Sequence, residues 1–158
     1  MSTTFTQVTL RGGGIDDLAI VEPIMQAAFD PRYGEAWTRS QCAGVMAMPG
    51  VALTIAELDG RPAGFAITRT IMDEAELLLL AVDPARRRRG IGRALLRAAI
   101  ADGEAKHIAK IHLEVRSNNG AIALYQQAGF VKIGERRDYY RGNNGKLFDA
   151  HTFMRMLR

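Results

Sequence analysis

The sequence is poor in cysteine, in aromatic residues and in long apolar runs. A single cysteine, Cys42, among 158 residues excludes an internal disulfide and fits a reducing compartment. No apolar stretch approaches the ~18 residues of a membrane-crossing helix, so no membrane partner is expected. The opening "MSTTFTQVTL" lacks the basic start and apolar centre of a secretion signal, which makes a cytoplasmic location the expectation. His107, His112 and His151 have no metal-ligand spacing, so no metal is expected. There is no repeat, no low-complexity tract and no linker rich in Pro, Gly or Ser. Aromatics make up 7% of the chain, and none lies between Phe65 and Tyr125. That spacing offers no stacking platform for single-stranded nucleic acid.

What is present suits a globular chain. Its length favours one domain, residues 1–158, with a sizeable core. Hydrophobic residues at 47% and charged ones at 24% are ordinary for a soluble protein. The net charge of +4 hides an asymmetry. Residues 1–80 hold 5 basic and 10 acidic side chains, and residues 81–158 hold 16 and 7. The second half is therefore suited to an anion and the first to a cation.

The pattern predicts a strand near Phe5–Leu10, a local turn at Gly12–Gly14 and a helix near Asp16–Phe29 with Asp16 as N-cap. "AFDPRYGEAW" reads as a loop, and "TRSQCAGVMAM" as a short helix capped by Thr38 and stopped by Pro49-Gly50. Two β-prone runs flank Asp59-Gly60, a hairpin signal. "AELLLLAV" reads as a central strand buried on both faces. Ile91 to about Ala105 has helical apolar rhythm at Ile91, Ala94, Leu95, Ala98 and Ala99. "KIHLEV" is a strand, "NNGAIALYQQAGF" a short helix ended by Gly129, and the tail two strands around an Asn-Asn-Gly turn. The order β-α-α-β-β-β-α-β-α-β-β gives an α+β mixed sheet.

The most informative stretch is "DPARRRRGIGRALL", Asp83 to Leu96. A strand ends, a glycine loop follows and a helix opens at once. Such a helix start carries unpaired N–H groups and the positive end of the dipole. Gly90 and Gly92 clear side chains from the approach, and the arginines add forked donors. Taken alone, this context fits an anion cradle, a solvated charge run or a nucleic-acid patch. It is neither a Walker loop nor a dinucleotide G-x-G-x-x-G.

Arg87 to Gly92, R-R-R-G-I-G, matches the acetyl-CoA motif Arg/Gln-x-x-Gly-x-Gly/Ala of GNAT acetyltransferases. "RALL", "LEVRSNN" and "AIALYQQAGF" match in the same order at near-family spacing. The chain thus resembles that family over roughly residues 36–157 and more loosely throughout. Within the family it is most similar to the bacterial ribosomal-protein-alanine N-acetyltransferases. The resemblance implies a GNAT fold and acetyl-CoA as co-substrate. It places Arg87, Arg88, Arg89, Gly90, Ile91, Gly92 and Arg93 at the pyrophosphate, with the amides of residues 88–93 holding it. Leu80, Ala81 and Val82 would pair with the pantetheine arm in a gap between splayed strands, and Asn118 would contact the coenzyme.

The resemblance also implies the chemistry. Glu114 matches a proposed general base and Tyr125 a proposed general acid. Read from the residues alone, Glu114 is a strand-end carboxylate pairing with Arg116 or Arg137, and Tyr125 a core aromatic. The acceptor implied is the alanine terminus of small-subunit ribosomal protein eighteen, attacked directly in a ternary complex. A protein α-amine has pKa ~7.7–8.0 against ~10.4 for lysine, so it needs less help from a base. Alternatives are another protein terminus, a lysine or a small-molecule amine, or a catalytically silent coenzyme-binding interaction module. The expected partner is a basic protein N-terminus, without direct nucleic-acid binding, and the protein a monomer or weak dimer. Tyr139 and Tyr140 match a tyrosine pair at the peptide cleft. Tyr33, Glu35 and Trp37 supply the other wall, on a loop that departs from the relatives in length and composition. Asp73, Glu74 and Glu76 would attract a basic terminus, or else form a solvated turn. His112 shares a strand face with Glu114 and would tune it, or else be a partly buried histidine. Two more departures stand out. Eleven residues separate Glu114 from Tyr125 where the family usually has twelve, the loss falling between Glu114 and Asn118. Arg87 stands where the nearest relatives often have glutamine.

Overall fold

The computed structural model describes residues 7–158. In chain order the elements are β1 (Val8–Gly13), α1 (Leu18–Ala28), α2 (Arg39–Met46), β2 (Val51–Leu58), β3 (Arg61–Ile71), β4 (Glu74–Val82), α3 (Ile91–Ala105), β5 (Lys110–Arg116), α4 (Ile122–Gln127), β6 (Val131–Arg141) and β7 (Leu147–Met156). This is the order read from the sequence. The strands form one sheet, β1-β2-β3-β4-β5-β7-β6. Among the described residues only β4 and β5 are parallel neighbours, joined through α3.

Local chemistry explains most of these elements. Asp59 and Gly60 take φ of 52° and 80°, the double positive φ that a two-residue hairpin turn requires. Thr38 Oγ1 accepts from Gln41 N at 3.1 Å, and Gln41 Oε1 accepts from Thr38 N at 2.8 Å. That reciprocal cap starts α2. Alternation along the strands then sends side chains to two cores. Ile55, Phe65 and Ile67 meet Val21, Ile24 and Met25 of α1. Ala56, Ala66 and Leu77 meet Ile91, Leu95, Leu96 and Ile100 of α3. Each large side chain so buried contributes roughly 1.5–3 kcal/mol.

Three expectations need correction. The first strand runs on through Gly12 and Gly13, which pair with Thr54 and Leu53. Backbone pairing needs no side chain, so the turn waits until Gly14. Phe5 and Thr6 lie outside the described residues. The residue before α1 is Asp17, not Asp16, and its side chain caps no N–H of that helix. A 3-10 turn at Ile15–Asp17 precedes the helix, and this aims the Asp17 carboxylate back at Gly14 N, 2.9 Å away. Finally, β4 is not buried on both faces throughout. Leu77 and Ala81 are buried, but Leu78, Leu79 and Leu80 are half-exposed, because a cleft opens beside them.

Candidate active site

The cleft arises where two parallel strands part. Pairing of β4 with β5 ends at Leu77 and Leu113. Beyond that point β4 stays with β3 as far as Val82, and β5 stays with β7 as far as Arg116. A register shift between Ile67 and Thr68 leaves Leu78 as an extra residue on β4. Such a bulge bends its strand. Each strand then presents unpaired N–H and C=O groups to the gap, and these need partners. The resulting cleft holds about 1000 Å³ and passes between α3, α4, β6 and the loop joining α1 to α2.

One end is built for an anion. Gly90 precedes α3 with φ 78°, a conformation that L side chains avoid. Ile91, Gly92 and Arg93 then form the first turn, whose N–H groups have no partner within the helix. Gly90, Ile91, Gly92, Arg93, Arg87 and Arg88 all line the cleft, as do Leu80, Ala81 and Val82. Arg86 lines it too, 4.0 Å from Asp83. Arg89 is exposed and is not part of the wall. The orphan amides, the guanidinium groups and the splayed strand edge fit a diphosphate joined to an amide-bearing arm.

The other end gathers the titratable groups. Glu114, Tyr125, Tyr139, Tyr140 and Trp37 line it. Tyr125 is 6% exposed and packs edge-on against Phe130 at 6.1 Å. It is thus a core aromatic and a cleft residue at once. Burial, and then the Glu35 carboxylate, push its phenol well above the ordinary tyrosine value. Burial and then Glu35 do the same to Tyr140. Tyr139 and Tyr140 pack edge to face at 4.9 Å. The Glu114 side chain is 13% exposed and pairs with Arg136 at 2.7 Å. Its partner is neither Arg137, which alternation turns to the opposite face from Glu114 and Arg136, nor Arg116, which is taken by Glu35.

Three further groups differ from the sequence reading. Glu76 lines the cleft and faces His112 at 3.7 Å. Glu74 instead pairs with Lys110 and Asp73 with Arg158, both away from it. Asn118 is exposed and outside the wall, where it accepts a hydrogen bond from Arg116 Nη1. Asn119 is the asparagine on the cleft. Its Oδ1 accepts from Ala121 N at 2.8 Å at the start of α4. The largest surprise is Glu35, which the sequence assigned only to a wall. It meets Arg116 Nε at 3.0 Å, with both side chains 9% exposed. The Arg116 guanidinium also lies 3.5 Å over the Tyr33 ring. No spacing rule links residues 81 apart in the chain.

The family model described as "Acetyltransferase (GNAT) family" matches residues 18–130. The [Ribosomal protein bS18]-alanine N-acetyltransferase of Escherichia coli (strain K12) is 46% identical over 89 residues, which is 56% of this chain and 60% of that protein. The match thus spans less than two thirds of that curated relative's length. The crystal structure of the Escherichia coli ribosomal-protein-S18-alanine N-acetyltransferase superposes with a TM-score of 0.85 at 34% identity, covering 96% of this chain and 94% of that one. Ard1 from Thermoplasma volcanium gives 0.80 at 26% identity, covering 94% and 97%. With its parted strands and glycine-led helix, the chain belongs to the GNAT acetyltransferase family.

Proposed function

We propose that the protein transfers an acetyl group from acetyl-CoA to a protein N-terminal α-amine, with the alanine terminus of ribosomal protein bS18 as acceptor. That acceptor would place it in the cytoplasm. The observation that carries this reading is one continuous cleft. It joins the Gly90 helix start to the Glu114–Tyr125 pair along the parted strands. Likeness to proteins named for bS18 acetylation supports the acceptor.

Bound acetyl-CoA supplies a thioester carbonyl for the amine nitrogen to attack, and a thiolate that leaves as the carbon–sulfur bond breaks. The amides of residues 88–93 and the nearby arginines hold the diphosphate, and the free edge of Leu80–Val82 pairs with the arm. Glu114 takes the proton the acceptor amine gives up, directly or through water. Arg136 must first yield Glu114. Its side chain is 61% exposed, and a pair with one partner in water contributes only about 0.2–1 kcal/mol. Tyr125 offers its phenol hydrogen to the departing sulfur. A thiol has pKa ~8.5 by analogy with cysteine, below that of this phenol, so Tyr125 stabilises the thiolate by a hydrogen bond without giving up its proton.

The test compares two basic peptides by coenzyme release. One has a free alanine terminus; the other is blocked there and carries an internal lysine. Turnover of the first alone is expected, and equal or preferential turnover of the second would contradict terminal acetylation. Tyr125→Phe removes one hydrogen-bond donor to the developing charge and is expected to lower kcat with the free peptide by about 10²-fold, with little change in acetyl-CoA affinity.

A further inference from the structure

Glu35 stands on the loop between α1 and α2 and reaches across the fold to the turn between β5 and α4. Glu35 Oε1 accepts from Arg116 Nε at 3.0 Å, and Oε2 accepts from Asn119 Nδ2 at 3.3 Å. Arg116 and Asn119 bracket the turn between β5 and α4, closed by Asn119 N donating to Arg116 O at 2.9 Å.

We infer that Glu35 is a positioning residue, which sets the separation of Glu114 and Tyr125 by clamping the end of β5 to the start of α4. Arg116 lies two residues beyond Glu114 on β5. Asn119 Oδ1 holds Ala121 N at 2.8 Å, and Ala121 O accepts from Tyr125 N at 3.2 Å. Both catalytic candidates are thus a few bonds from one carboxylate.

That carboxylate sits on a fixed base. A Cβ on Gly34 would lie 1.9 Å from Arg141 O, and one on Gly142 would lie 1.8 Å from Arg32 O. Asn143 N also donates to Pro31 O at 3.1 Å. The loop is therefore docked on the β6–β7 hairpin and cannot trail the turn. A buried ion pair is weak support for stability, since apolar replacements of similar volume are often as stable. Its conservation of geometry is the better account here.

The inference rests on the acetyltransfer reading, and its test separates the two. We would measure kcat, both KM values and Tm for wild type, Glu35→Gln and the double variant Glu35→Met with Arg116→Met. Glu35→Gln is expected to lower kcat about ten- to a hundredfold, the cost of a displacement near 1 Å, with KM for acetyl-CoA unchanged. The double variant removes both charges together, so it is expected to keep its Tm, yet its kcat stays low. Wild-type kcat in either folded variant overturns the inference. A crystal structure of Glu35→Gln supplies a readout free of turnover. A shifted Glu114–Tyr125 separation supports the clamp, and an unchanged one overturns it. A wild type that acetylates no amine sinks the functional reading alone.

Discussion

Tyr125 keeps its proton for two reasons that add. Its ring is buried against Phe130, and the Glu35 charge opposes a second negative charge nearby. Tyr140 is held neutral by burial, by Glu35 and by its neighbours Tyr139 and Glu114. Both phenols therefore act as donors throughout the working range of pH. Stability carries the same signature. In the unfolded chain a tyrosine loses its proton near pH ~10, whereas the folded protein holds both protons to higher pH. Above that point the unfolded state binds fewer protons, so stability falls as pH rises. Below about pH 9 the two tyrosines contribute no slope. Urea midpoints between about pH 8 and 11 should fall less steeply for Tyr125→Phe combined with Tyr140→Phe than for wild type. Parallel curves would show that the phenols are not held neutral by the fold.

At the scale of elements, the docked loop and the helix start can be tested separately. Gly34 has φ 68° and faces the Arg141 carbonyl, so Gly34→Ala both strains the backbone and forces the loop from the hairpin. Acceptor KM should rise, about tenfold for each ~1.4 kcal/mol of docking lost, with acetyl-CoA affinity intact. Gly90→Val should do the reverse, weakening acetyl-CoA while sparing the acceptor side. A Cβ at Gly90 meets nothing within 4 Å, so its cost there is the positive φ, roughly 1–2 kcal/mol, and obstruction of the anion. Equal acetyl-CoA affinity in wild type and Gly90→Val, by calorimetry, would remove the cradle. These elements were legible because their signals are local. The Asp59-Gly60 hairpin, the Thr38 cap and the Ile91–Ala105 helix each announce themselves within a few residues. The Gly12-Gly13 strand was not, since its pairing is dictated by Thr54 and Leu53 on another strand.

Across the whole molecule, the charge asymmetry of the sequence is only partly kept in the cleft. Arg86, Arg87, Arg88 and Arg93 line one end, whereas Glu35 and Glu114 at the other are each paired with an arginine, Arg116 and Arg136. The acids come from both halves of the chain, so the composition indicated two kinds of partner but not where each would sit. Glu114 and Tyr125 were legible as candidates through the motif around them. The clamp at Glu35 and the Arg136 partner were not, because each joins elements far apart in the chain. The central claim is that backbone amides at the start of α3 aim a thioester, along the parted strands, at Tyr125. A crystal structure with acetyl-CoA measures this directly. The diphosphate is expected on the amides of residues 88–93 and the sulfur within hydrogen-bond reach of the Tyr125 hydroxyl. Coenzyme lodged outside the cleft, or a sulfur turned away from Tyr125, would contradict it.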